Sequence, residues 1–191
     1  MKNDNFVFVP SVGLYVTKEK VLLGENRIDA QKILHPNNKK MLAPFEFKEF
    51  LKYAKQNYKE VYDKITKQGD SYRAEWIDGS FRLGGKSFFI DYHSFDEEGN
   101  VISKSEILDA DTLMKDMSPG ISLEGWLEDS TKQGLPRDTI KWGDLHYWSP
   151  MGGYDSAIGF VAHSSGVGLS CDVSSFYINP DMGVRIAMKK I

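Results

Sequence analysis

The chain has one cysteine, Cys171, among its 191 residues. A single cysteine excludes an intrachain disulfide framework and a cysteine-rich zinc site. Long hydrophobic runs are also lacking, because the apolar segment from Phe6 to Val16 is short and is interrupted by Pro10 and Gly13. We therefore expect neither a secretory signal nor insertion into a membrane. This leaves the localisation open, since virion proteins also lack such signals, and display on a virion or a cell surface is compatible with it.

The sequence has little excess charge of either sign. Its 24 basic and 27 acidic residues give a formal net charge of −3. This balance provides no general electrostatic attraction for nucleic acid, which is therefore not an expected partner. No internal repeat or low-complexity linker divides the chain, so we expect a single domain over residues 1–191 that buries about 70% of its unfolded surface.

The common catalytic motifs are absent as well. No two of the four histidines lie within ten residues of each other; they are His35, His93, His146 and His163. This spacing excludes an HExxH-type zinc pair. The serines of the last quarter lack a Gly-x-Ser-x-Gly nucleophile elbow. A carboxylate pair assembled by the fold stays open among Asp91, Asp96, Asp144 and Asp155, but nothing favours one of them. We predict no catalytic residue, no metal ligand and no cofactor.

One window is depleted in particular residue types. Lys, Glu, Gln, Met and Trp make up about a quarter of the chain, yet residues 152–181 contain none of them. About seven would be expected in a window of this length. Strands and turns disfavour Lys and Glu, so part of the deficit follows from propensity.

Apolar patterns predict an α+β fold with about two N-terminal helices. Phe6–Val9 and Gly13–Val16 are typical of short strands. An apolar stripe that begins at Pro44 predicts helix to about Lys67, in one piece or split at Asn57. Residues 24–40 show no regular pattern, and we interpret Lys39-Lys40 as a solvated loop.

Residues 71–108 change to strand-like patterns. Three strands separated by strong turn signals are predicted: Ala74–Leu83, Lys86–Phe95 and Val101–Leu108. They indicate a three-stranded β-meander. Further along, Ser122 is a good N-cap for a short helix through Trp126 and Leu127, and Leu145–Trp148 predicts a strand.

The last quarter of the chain predicts a β-hairpin. With Ser165-Gly166 as a two-residue turn, Phe160 lies opposite Cys171, Ala162 opposite Leu169 and Ser164 opposite Val167. These six residues are mostly small and apolar, and we expect them to face inward. Alternation then places the intervening residues on the outer face; they are Gly159, Val161, His163, Gly168, Ser170 and Asp172.

The scaffold of this region resembles the variable proteins of diversity-generating retroelements, in particular the archaeal and archaeal-virus type. The likeness covers about residues 112–191. Its motifs are Ser118–Trp126, Lys132–Pro136, Tyr147-Trp-Ser-Pro150, Ser156-Ala157, the inward residues Phe160, Ala162, Ser164, Leu169 and Cys171, and the closing Gly183-Val-Arg185. The resemblance implies a C-type-lectin-like fold, related to that of formylglycine-generating enzymes. We do not expect formylglycine-generating activity, because Cys171 is the single cysteine and is predicted to face inward.

The resemblance also supplies a cause for the depleted window. In such proteins, adenine-directed copying rewrites AAC or AAT codons, which cannot then encode Lys, Glu, Gln, Met or Trp. It implies a variable region over residues 147–185 on a receptor without catalysis, which recognises a protein or carbohydrate on the surface of a cell or virion. The residues expected to face the ligand are Tyr154, Ile158, Val161, His163, Ser170, Asp172, Val173, Tyr177 and Asn179.

One competing hypothesis remains at this point. A metal-dependent enzyme or a calcium-dependent carbohydrate-binding protein could share the same fold. Asn179-Pro180-Asp181 resembles the triplet that holds calcium in such proteins, but it supplies few of the six to eight oxygens that calcium requires. A plain turn is the preferred interpretation.

Overall fold

A computed structural model of the chain describes residues 5–69, 71–115, 117–150 and 156–189. Two sheets and a few helices make up this part of the chain, so the predicted α+β fold is confirmed. The helices are α1 (Arg27–Leu34), α2 (Pro44–Asn57), α3 (Lys59–Thr66) and α4 (Leu123–Glu128). The strands are β1 (Phe6–Val9), β2 (Leu14–Thr17), β3 (Lys40–Met41), β4 (Arg73–Gly84), β5 (Ser87–Phe95), β6 (Val101–Ile107), β7 (Met117–Ile121), β8 (Leu145–Trp148), β9 (Ser156–His163), β10 (Gly166–Ser174), β11 (Met182–Val184) and β12 (Ile186–Lys189).

The smaller sheet joins the two ends of the chain. Its order is β1-β2-β12-β3, so the C-terminal strand pairs with an N-terminal one. The larger sheet has the order β6-β5-β4-β9-β10-β8-β7. Two strands share one edge of β4: β5 pairs with its residues 80–84, and β11 pairs in parallel with its residues 74–76. The predicted meander is β4-β5-β6, and the predicted hairpin is β9-β10 at the centre of the sheet.

The helical predictions are largely confirmed. The stripe that begins at Pro44 forms two helices, with Tyr58 between them. Ser122 caps α4, since its side chain accepts a hydrogen bond from the Gly125 N–H at 3.0 Å. Helix α1 was not predicted. It begins after Asn26, whose side chain accepts from the Asp29 N–H at 2.9 Å.

A buried carboxylate fixes α1 against the large sheet. Asp78 of β4 is fully buried. It accepts hydrogen bonds from Arg27 at 3.1 Å and Gln31 at 2.9 Å, both on α1. The His93 backbone N–H donates to it at 2.8 Å, and His93 Nδ1 lies 3.0 Å from it. Burial by itself would raise the pKa of Asp78, but the His93 hydrogen bond and the Arg27 charge outweigh it and lower the pKa to about 2.

Two further buried ion pairs stabilise the fold. Lys40 is completely buried and pairs with Glu46, so its interpretation as a solvated loop residue is wrong. The Glu46 carboxylate compensates the buried ammonium group, as burial of a charge requires. Arg185 of the closing Gly-Val-Arg donates to both Glu75 oxygens, at 2.8 and 2.7 Å, and to the Thr17 and Lys18 carbonyls. This ending therefore ties β4 to the N-terminal strands.

The hairpin lies between two hydrophobic clusters. Its inner face contributes Phe160 to the larger cluster, where the ring lies 5.4 Å from Phe47 and 6.1 Å from Trp126. On the outer side, β11 and the segment before α1 cover one end of the hairpin with a second cluster that includes Trp76 and Met182. The other end of the outer face is more open to solvent, and the candidate site lies there.

Candidate functional site

The hairpin pairs with a different register from the one predicted. Its turn is Ser164-Ser165, and Gly166 already pairs with His163. Phe160 therefore lies opposite Leu169, and Ala162 opposite Val167. Each partner is displaced by two residues from the prediction. Because a displacement of two preserves alternation, the predicted faces survive even though the predicted pairs do not.

The inward set is confirmed with one exception. Phe160, Ala162, Leu169 and Cys171 are at most 1% exposed, and Val167 is 7% exposed. Ser164 instead lies in the turn and is exposed, because the turn is placed one residue earlier than predicted.

Some residues predicted to face a ligand do not lie on the outer surface. Ile158 is completely buried opposite Ile77, because it shares its alternation with inward-facing Phe160. Val161 and Val173 are partly buried and pack against the second cluster. Tyr154 lies outside the described residues.

The other predicted residues are accessible. Asp172 and Tyr177 are exposed, and His163, Ser170 and Asn179 are partly exposed. A β-bulge between Ser170 and Val173 interrupts the pairing of β10 with β9. It turns Val173 towards the second cluster, which explains why only part of the predicted set is accessible.

Aromatic rings from three strands or their ends gather on the open part of the outer face. Tyr72 stacks on His163 with ring centroids 6.2 Å apart and an interplanar angle of 20°. His146 stacks on Trp148 of the same strand at 6.0 Å and 22°. Val161 lies on β9, the strand of His163, and Gly168 of β10 lies between Val161 and His146. We call Val161 and the four ring residues the outer platform.

Glycines of β10 allow the His146–Trp148 pair to lie over the sheet. A Cβ atom on Gly168 would lie 3.0 Å from Trp148 Cζ3 and 3.2 Å from Val161 Cγ2. A Cβ atom on Gly166 would lie 2.8 Å from the His146 ring. The absence of side chains at these two positions therefore lets both rings approach the backbone.

A loop beside the outer platform exposes large apolar side chains. Phe176 is 72% exposed, Tyr177 44% and Ile178 65%. Hydrogen bonds hold the loop: Tyr177 N–H donates to the Ser174 carbonyl at 2.9 Å, and Asn179 Nδ2 donates to the Tyr177 hydroxyl at 3.2 Å. The exposed side chains are thus presented by an ordered backbone rather than by a loose one.

The loop and the outer platform are neighbours. Burial raises the pKa of Tyr72, and the nearby Tyr177 and Asp181 raise it further. Lys20 fixes the end of the loop, since its ammonium group donates to the Asp181 carbonyl and, at 3.4 Å, to that of Ala74 on β4. The outer platform and residues 176–178 therefore border one another on the same side of the molecule.

His163 is oriented by its own turn. Its Nδ1 lies 2.7 Å from the Ser165 hydroxyl and accepts from the Ser165 N–H at 3.2 Å. With Nδ1 occupied, the ring is held against Tyr72. This arrangement offers hydrogen bonding and aromatic area to a ligand.

Three platform residues were missed by sequence reasoning. Tyr72 lies 91 positions before His163 in the chain, and no local pattern connects them. Trp148 was predicted only as the end of a strand, and its side chain is 42% exposed, whereas Trp126 is buried. His146 precedes Trp148 by two residues, so strand alternation could have placed both rings on one face.

The described part of the chain has neither a cluster of metal ligands nor a membrane-spanning helix. Within residues 5–69, 71–115, 117–150 and 156–189, no three or more His, Cys, Asp or Glu side chains are grouped so that they could hold a metal ion. The Asn179 side-chain oxygen accepts a hydrogen bond from the Asp181 N–H at 2.9 Å, as in an ordinary Asx turn. Among the described helices, none combines the length and the apolar character needed to cross a bilayer.

Comparison of the chain with protein-family models, with curated proteins and with solved structures finds no significant match.

Proposed function

We propose that the chain is a ligand-binding receptor protein without catalytic activity, whose C-terminal surface is diversified by adenine-directed mutagenesis. Its ligand is a protein or carbohydrate on the surface of a cell or virion. The fold proposed for it is C-type-lectin-like. The pairing of the C-terminal strand with N-terminal strands, and a central hairpin that separates core from surface, support this fold.

The observation that carries the proposal is the outer platform with its neighbouring loop. Tyr72, Trp148 and Tyr177 present aromatic area, while His163, Ser170 and Asn179 supply hydrogen-bonding groups. Aromatic residues held in place lose little entropy on binding and dominate the energy of recognition surfaces. Such a surface suits recognition of another molecule.

The proposed surface contains residues that adenine-directed mutagenesis can change and residues that it cannot. Trp148 cannot arise from an AAC or AAT codon, and Tyr72 lies before the window without Lys, Glu, Gln, Met and Trp. His163, Asp172, Tyr177 and Asn179 can all arise from such codons. Diversification at these positions would alter the ligand contacts while the inward residues keep the core intact.

The DNA around the gene tests this proposal. We expect a reverse-transcriptase gene near a second copy of codons 150–185 that differs from the first only where the second copy has adenine. A genome with no such repeat would rule out diversification, and the outer platform would then belong to a receptor of fixed specificity.

A further inference from the structure

A cleft lies away from the outer platform. It is a cleft of about 540 Å³ between the β1–β2 turn, the start of α2, the end of β5 and residues 130–132. None of the five residues of the outer platform lines it. Its volume falls within the range of small-molecule sites, which is about 300–1,000 Å³.

A buried carboxylate forms part of its wall. Glu46 lines the cleft, although the residue is only 4% exposed. Both protein donors to this side chain, the Lys40 ammonium group and the Ala43 N–H, bind the same oxygen, Oε2. Among the described residues, no hydrogen bond reaches the other oxygen, Oε1. Burial raises the pKa of Glu46. A buried acceptor of this kind strongly favours a hydrogen-bond donor brought by a ligand.

Two half-buried aromatic rings flank Glu46. Phe45 precedes it on α2 and meets Tyr92 edge-on at 6.1 Å. Phe95 lies on β5, with the Lys40 ammonium group 5.5 Å from its ring centroid. Both rings line the cleft, and they are suited to a flat apolar group.

The charges at the rim leave a positive excess. Lys48 lies 3.2 Å from Glu49 and Lys132 lies 3.6 Å from Glu106, so each has a carboxylate partner, and Lys40 neutralises Glu46. Lys189, in contrast, donates to the carbonyls of Asp96 and Glu97 at 2.7 and 3.2 Å. Because carbonyl groups are neutral, the charge of Lys189 stays available to an anionic group in the cleft.

We propose that this cleft binds a small, flat monoanion that also carries a hydroxyl donor. The hydroxyl donates to Glu46 Oε1, the ring contacts Phe45 and Phe95, and the negative group lies near Lys189. Each element of the ligand corresponds to one feature of the lining.

Three related probes test the proposal by NMR titration of the ¹⁵N-labelled protein. 4-Hydroxybenzoate has all three elements, benzoate lacks the hydroxyl group, and 4-hydroxybenzamide lacks the charge. We expect saturable shifts at the amides of residues 45–49 and 94–95 with 4-hydroxybenzoate, and binding at least about 5-fold weaker for either of the other probes. Equal affinities for the three probes, shifts on the outer platform instead, or no saturation would overturn the proposal.

A variant pair tests the role of the charge. Lys189→Met should weaken 4-hydroxybenzoate to the affinity of 4-hydroxybenzamide and leave 4-hydroxybenzamide unchanged. Lys59→Met, which removes the same charge from an exposed pair with Asp63, should change neither. Since Glu46 also pairs with buried Lys40, its substitution could unfold the chain, and the comparison with benzoate tests its role in the intact protein. A Lys189→Met protein that binds both hydroxylated probes like the parent contradicts the assignment.

Discussion

At the scale of single residues, a buried ion pair and a glycine each limit which substitutions the large sheet accepts. Arg185 and Glu75 are buried together, and each would leave an uncompensated charge if the other were removed. Gly168 has a different role, because its lack of a side chain allows Trp148 to lie on the strand. The resemblance singled out the motif Gly183-Val-Arg185 but gave no partner for Arg185, because Glu75 lies 110 residues away in the chain.

Removal of the Arg185 guanidinium should destabilise the protein. Arg185→Leu leaves the Glu75 carboxylate buried without its partner, which costs about 3–5 kcal/mol of unfolding free energy. The double variant Glu75→Leu/Arg185→Leu should recover most of that loss, because it buries no charge. Urea denaturation of the four proteins of this cycle measures the effect. A double variant that is less stable than Arg185→Leu alone would refute this account.

A methyl group at Gly168 should displace the Trp148 ring. Its Cβ atom would lie 3.0 Å from Cζ3, so we expect Gly168→Ala to lose about 1–3 kcal/mol of stability and to shift the Trp148 indole N–H resonance. Ser170→Ala, the next outer position on the same strand, should change neither. Unchanged stability and an unmoved indole resonance in Gly168→Ala would show that the ring does not lie over this glycine.

At the scale of elements, local patterns predicted the meander, α2, α3 and α4, because their apolar residues and caps are close together in sequence. Helix α1 escaped prediction because only Arg27, Ala30 and Leu34 of its residues are buried. An arginine on the buried side hides the apolar stripe, and only Asp78 on a distant strand explains it. The predicted hairpin register was wrong because it also depended on a distant residue. Gly166 suits a turn, but in the structure it belongs to β10, where the His146 ring lies over it.

The docking of α1 should depend on pH through Asp78. Its pKa is about 2 in the folded protein, below the ordinary value of 3.8, so the stabilisation is present above pH 4 and is lost as the pH falls from about 4 towards 2. Asp78→Asn leaves the buried Arg27 without its carboxylate, so it should lose about 3–5 kcal/mol at neutral pH, and its stability should decline less steeply below pH 4. Urea midpoints at pH 6, 4 and 3 measure this, with Asp111→Asn on an exposed turn as the control. An acid-dependent loss in Asp78→Asn as steep as in the parent would contradict it.

The loop beside the platform should tolerate substitution at its exposed positions. Phe176→Ser and Ile178→Ser should each change stability by less than about 0.5 kcal/mol, because these side chains are 72% and 65% exposed. Met182→Ala, at the buried end of the same segment, should cost about 2–5 kcal/mol. Thermal denaturation compares the three. A loss at Phe176 as large as that at Met182 would show that the loop is part of the core.

At the scale of the whole molecule, the large sheet separates a fixed inner face from an outer face that is partly accessible. Phe160, Leu169 and Cys171 hold one side, while His163, Asp172 and Tyr177 lie on the other. Display of several copies on one particle would raise the overall avidity without new contacts. Sequence reasoning predicted this division, and alternation from Phe160 could also have excluded Ile158. Tyr72 could not be found in this way, because its place depends on a neighbour across the sheet.

The most direct test of the central claim is deep sequencing of this gene from the population in which it occurs. We predict many amino-acid replacements at His163, Asp172, Tyr177 and Asn179, produced by changes in the first two bases of their codons. The codons of Phe160, Ala162, Leu169 and Cys171 should stay unchanged in the same molecules. Replacements spread evenly over both faces, or an invariant outer face, would contradict the account.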